Sequence, residues 1–108
     1  MMSIQLTNKP VERGSAEFVI KFYDTRKKLV EPNDDITWSL YRPDGEIVNS
    51  RENIDVTPPA EEISIVLMGD DLPNGELILL VECTFNSDLG SNLPLRKERE
   101  FRVERTTK

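Results

Sequence analysis

The stretch Leu77-Ile78-Leu79-Leu80-Val81-Glu82-Cys83-Thr84-Phe85 decides the fold. Its odd positions are apolar throughout, while its even positions pass from Ile78 and Leu80 to Glu82 and Thr84. A period of two with one continuous apolar face is a strand, and an apolar start on the second face places it centrally in a sheet. The alternation returns on either side. Ala16-Phe18-Ile20-Phe22 oppose Glu17, Val19, Lys21 and Tyr23. Ile36-Trp38-Leu40 oppose Thr37, Ser39 and Tyr41, and Ile63-Ile65-Leu67 oppose Ser64, Val66 and Met68. These β-branched and aromatic residues suit a pleated surface.

Between the runs stands turn chemistry. Arg42-Pro43-Asp44-Gly45-Glu46 fits a tight hairpin returning into Glu46-Ile47-Val48-Asn49, because proline fixes φ at one corner and glycine accepts φ > 0 at another. Leu72-Pro73-Asn74-Gly75-Glu76 repeats that chemistry. Pro58-Pro59 ends Ile54-Asp55-Val56, since proline lacks the N–H of a central ladder. Asn86–Asn92 reads as the longest loop. Leu95–Arg105 contains good helix formers, yet Leu95, Phe101 and Val103 share a face at period two, which favours a strand. Seven or eight short strands in 108 residues predict one all-β domain spanning 1–108, a two-sheet Greek-key sandwich of immunoglobulin type. The expected core is Phe18, Ile20, Phe22, Trp38, Leu40, Ile65, Leu79, Val81, Cys83, Phe85, Phe101 and Val103.

Composition narrows the chemistry. Without histidine there is no Ser-His-Asp triad and no imidazole ligand, and one cysteine makes neither an internal disulfide nor a thiolate zinc site. A net charge of −6 opposes a phosphate-tracking surface, so no nucleic-acid partner is expected. The basic groups Arg26-Lys27-Lys28 and Arg96, Lys97, Arg99 read as a solvated turn and a charged strand face. The longest apolar run, Leu77–Val81, is far short of the roughly 20 residues of a membrane span. No membrane partner is expected, and a start without leader character predicts synthesis in a cytoplasm.

Few side chains are candidates for chemistry. Asp70-Asp71, Asp34-Asp35 and Asp44 raise a calcium site, but no D-x-D-x-D-G loop is present and aspartates commonly brace turns. No metal, cofactor or catalytic residue is therefore assigned. Cys83 on the apolar face reads as a buried small hydrophobe. Tyr23 and Tyr41 fall on outer faces, where tyrosine serves either an interface or cross-strand packing. Ile78 and Leu80 also point outward. With Val66 or Met68 nearby they would form an apolar patch, unless the N-terminal segment or the last strand covers them. Arg96, Glu98, Glu100, Arg102 and Glu104 would give that patch a charged rim. Ile78, Leu80 and Tyr41 are thus the candidate interface.

Three stretches carry a resemblance. They are Ile36-Thr37-Trp38-Ser39-Leu40 through Val48-Asn49-Ser50-Arg51; Val56-Thr57-Pro58 with Ile63–Leu72; and Phe85–Leu95 with its Ser87-Asp88-Leu89-Gly90 and Leu93-Pro94-Leu95. In order and spacing they resemble a family of small bacteriophage proteins encoded among virion-structure genes, with lines of the form TWxLxDxxGxxINSR, ITPxxxxxIxLxGxDL and YxSDxGxDLPL. The likeness runs from about Phe18 to Val103. The chain departs from it at Pro73-Asn74-Gly75, in place of a longer insertion, and at Asp24–Lys28, which lacks the usual glycine.

The resemblance implies a non-enzymatic virion component with an immunoglobulin-like fold, placed in the virion as capsid decoration (cement) or as an accessory protein. Its partners would be other virion proteins, of the capsid or of the neck and tail, and copies of itself. A neck or tail accessory protein is the alternative position. A carbohydrate-binding immunoglobulin-like module is the alternative of another class, with Tyr23 and Tyr41 as its exposed aromatics.

Overall fold

The computed structural model describes residues 1–24, 26–32, 36–87 and 90–105, with backbone alone at 86, 87 and 90–92. Seven strands follow in order: β1 (Met2–Leu6), β2 (Ser15–Phe22), β3 (Ile36–Tyr41), β4 (Ile54–Val56), β5 (Glu62–Met68), β6 (Gly75–Ser87) and β7 (Gly90–Val103), with a 3₁₀ turn at Gly69–Asp71. A three-stranded sheet, β1-β2-β5, packs on a four-stranded sheet, β4-β3-β6-β7. Every strand pair is antiparallel. The chain crosses between sheets after β2, after β4 and after β5, which is the Greek-key sandwich expected of these short alternating runs.

The core forms where the apolar faces meet. Phe18, Ile20 and Phe22 of β2, Ile36, Trp38 and Leu40 of β3, Ile65, Leu79, Val81, Cys83, Phe101 and Val103 are all buried. Phe18 and Phe101 meet edge to face across the sandwich, centroids 5.0 Å apart. The hairpin signal at Arg42–Glu46 holds: Gly45 takes φ +93°, and Asp44 Oδ1 accepts from the Glu46 N–H. The return beyond it is not a strand. Only Tyr41 and Ile47 bridge, and the chain then turns at Val48–Arg51 with Asn49 and Ser50 both at positive φ.

The expected loop at Asn86–Asn92 is instead the far end of two strands. β3 backs β6 only from Ile78 to Glu82, whereas β7 follows β6 to a Ser87–Gly90 pair. Beyond Cys83, among the described residues, the two strands pair only with each other, forming a ribbon that continues past the β3 ladder. A 13-residue strand alone reaches about 43 Å, in keeping with overall extents of 53 × 24 × 22 Å. Phe85 belongs to this ribbon, paired with Leu93, and is half-buried rather than core. Its face is the right one, but among the described residues it lies outside the core cluster.

Candidate interaction surfaces

The outer face of the four-stranded sheet collects the residues singled out by sequence. Pairing sets Tyr41 beside Ile78 and Ile78 beside Glu100, then Ser39 beside Leu80 and Leu80 beside Glu98. The Arg42–Gly45 turn stands over them, leaving a shallow groove of about 360 Å³ with Tyr41, Ile78 and Leu80 on one side and Arg96 and Glu98 on the other. A second hollow of about 310 Å³ lies between Pro43, Ile78 and Glu100. The charged rim is present: Arg96 lies 3.9 Å from Glu82, and Arg102 lies 2.9 Å from Glu76.

Two expectations about this face need correction. Leu80 points outward yet is only 4% exposed. It occupies a central strand between Ser39 and Glu98, with Tyr41 and Arg96 on the diagonals, and the long stems of these neighbours wall it in. Ile78 and Tyr41 are half-buried. Val66 and Met68, at 47% and 59% exposure, lie on β5 in the other sheet and cannot extend the patch. The surface is therefore a groove with an apolar floor, not a protruding apolar stripe. Tyr23, the other outer-face tyrosine, bridges Leu29 and accepts the Met1 ammonium on its carbonyl.

Sequence reasoning missed the knot that joins the sheets. Asp71 is 2% exposed, and its Oδ1 accepts from Arg51 Nε at 2.7 Å and from Asn49 Nδ2 at 2.8 Å, while Oδ2 accepts from the Met68 N–H. Burial pushes the Asp71 carboxyl up, and these donors together outweigh it, holding the carboxyl below its ordinary range. The Arg51 guanidinium carbon also sits 5.9 Å from the Trp38 ring centre, covering the rim of the core. The Val48–Arg51 turn, with Asn49 and Ser50 both at positive φ, sets Asn49 and Arg51 side by side at Asp71.

Asp24 and Asp44 brace backbone. Asp24 Oδ1 accepts from the N–H groups of Lys28 and Arg26, which lowers its carboxyl, and Asp70 is exposed. Asp34 and Asp35 lie outside the described residues, and among the described residues no cluster of three potential metal ligands occurs. Cys83 is a free buried thiol, pushed up to about 11 by burial. Beside it Thr84 Oγ1, on the strand position opposite Pro94, is buried with no partner among the described residues.

No family model, no curated protein and no solved structure matches this chain. The fold and its surfaces define a small two-sheet β-sandwich whose perturbed ionisable groups, among the described residues, each have a structural explanation.

Proposed function

We propose that this protein is a non-enzymatic interaction component of a bacteriophage particle, present in many symmetry-related copies as a capsid decoration or accessory protein. The observation that carries this reading is the β6–β7 ribbon, which projects half-buried Phe85 and Leu93 beyond the sandwich. Strand pairing without tertiary cover gives an isolated hairpin little stability in water, so an arm of this kind gains by lying against another chain. The groove at Tyr41, Ile78 and Leu80 offers a second contact with an apolar floor and mixed-charge rim. Two modest contacts repeated over a symmetric particle bind by multivalency rather than by one strong site. The family likeness in the sequence supplies the particle.

Mass spectrometry of purified particles tests this. The chain should be found in the virion at a stoichiometry matching a symmetry-related set, and its absence would remove the reading. The aromatic floor at Tyr41 favours one rival, a carbohydrate-binding module, and binding on a glycan array without virion incorporation would put that rival first.

A further inference from the structure

A two-sheet sandwich has four edge strands, and three of these edges carry protection. β4 is three residues long and contains Asp55. β7 carries Lys97 and Arg99 at positions whose alternation points them toward the sandwich, a recognised guard against edge pairing. Lys97 Nζ also donates to the Met2 carbonyl at 3.0 Å, tying the β1 edge to β7. The fourth edge, β5, is guarded only at its last residue, where Asp71 caps the Met68 N–H. From Ile63 to Met68 it is Ile-Ser-Ile-Val-Leu-Met, with no charge, no proline and an unbroken register against β2.

The polarity of that edge follows from its hydrogen bonds. Phe22 N–H donates to the Glu61 carbonyl and Gly69 N–H to the Gly14 carbonyl, so the odd-numbered residues of β5 face β2. The N–H and C=O groups of Ser64 and Val66 therefore point away from the sheet, and among the described residues nothing meets them. The N–H of Met68 also points outward, and there Asp71 Oδ2 caps it. Val66 and Met68 add exposed apolar side chains along the same edge.

We propose that β5 accepts an extended segment of another protein by strand addition, and that this segment is uncharged at its centre and carries lysine or arginine at its ends. The main-chain groups of Ser64 and Val66 supply the ladder, and Val66 and Met68 receive apolar side chains from the guest. The charge follows from what brackets the strand: exposed Glu61 and Glu62 at its start and exposed Asp70 at its end, with Lys21 offsetting only Glu62 at 3.7 Å. A second copy of this chain is disfavoured by the same residues. Antiparallel self-pairing centred on Val66 would set Glu62 of each copy opposite Asp70 of the other, with Glu61 beside it. This inference concerns a different face from the ribbon and the groove, and it holds whether or not the protein belongs to a particle.

The test uses the full chain and a synthetic peptide with an alternating valine–threonine centre and lysines at both ends. Amide shifts should move at Ser64 and Val66, and a peptide with glutamates at its ends should bind about tenfold more weakly, as expected for a few exposed charge pairs. Val66→Pro removes an outward N–H without touching the β2 ladder and should abolish binding. Ser64→Lys, which leaves every backbone bond in place, should weaken it and carries the same test should proline distort the strand. No binding of the lysine-ended peptide, binding that neither variant weakens, or equal affinity for both peptides would overturn the proposal. A dimer in sedimentation that Ser64→Lys dissolves would also overturn it, giving the edge to a second copy.

Discussion

Arg51 and Asp71 meet at 2.7 Å between Nε and Oδ1, joining the connection after β3 to the corner after β5. The two partners are unequal, because Asp71 is 2% exposed and the Arg51 side chain 40%. Removing the arginine leaves a buried carboxylate with fewer donors, while removing the acid leaves a guanidinium that water can reach. Arg51→Met should cost about 2–3 kcal/mol, less than for a fully buried pair because the arginine is part-exposed, and Asp71→Asn about 1–2 kcal/mol. Urea melts of both variants check the order.

The same carboxyl sets an acid limb. Because its folded value lies below the ordinary 3.8, the stability it contributes is present above that pH and is lost as pH falls through the lower folded value. The gap between wild type and Asp71→Asn should therefore be full at neutral pH and close progressively below pH 3.8. A gap that widened on acidification would contradict the hydrogen-bond arrangement.

Cys83 should resist labelling in the folded protein. A thiol raised from 9.0 to about 11 holds roughly a hundredfold less thiolate at neutral pH than a free one, before burial restricts access further. Aromatic disulfide reagents should report the thiol only in denaturant. Its contribution to stability is fully present below pH 9.0 and is lost as pH rises through about 11.

Trp38 and Phe85 should separate sharply under alanine substitution. Trp38 belongs to the core cluster and should cost about 3–5 kcal/mol. Phe85 lies on the ribbon, half-buried, and should cost about 1 kcal/mol, within the ordinary range for point substitutions. Equal costs in denaturant melts would mean that the ribbon face is covered within the monomer.

Ile78 and Leu80 likewise part company. Ile78→Asp should fold and lose incorporation into particles if the groove is the contact. Leu80→Asp should destabilise by about 2–4 kcal/mol, since it places a carboxylate where only 4% of the side chain is exposed. Circular dichroism melts and particle composition read the two effects separately.

The sandwich was legible because strand alternation depends on neighbours along the chain, and the phases of β2, β3, β5 and β6 follow directly from it. Trp38, Phe101 and Cys83 were placed correctly by that phase alone. Phe85 was misplaced because phase says which face a residue takes and not whether another sheet lies opposite. Leu80 was placed on the correct outer face with its cover left open, since that cover comes from Tyr41, Arg96 and Glu98 on strands whose register no local pattern fixes. The Asp71 knot was hidden because Asn49 and Arg51 lie 22 and 20 residues from Asp71, and an Asp-Asp pair reads as turn chemistry until its partners arrive. The open β5 edge became visible only once strand order showed which strands have a neighbour on one side.

The ribbon also gives the molecule two tempos of backbone opening. β6 and β7 are sequence neighbours, so their pairing closes a short connection and forms early, on the microsecond scale of hairpins, before the distant β1–β2–β5 sheet must assemble. After folding, amides from Ile78 to Glu82 lie in a ladder flanked on both sides, while those beyond Cys83, among the described residues, have one neighbour strand. Deuterium should enter the far ribbon through local fraying and the sandwich only through global unfolding. Slowing of exchange in the ribbon alone, on assembly, would locate the surface where this arm comes to rest.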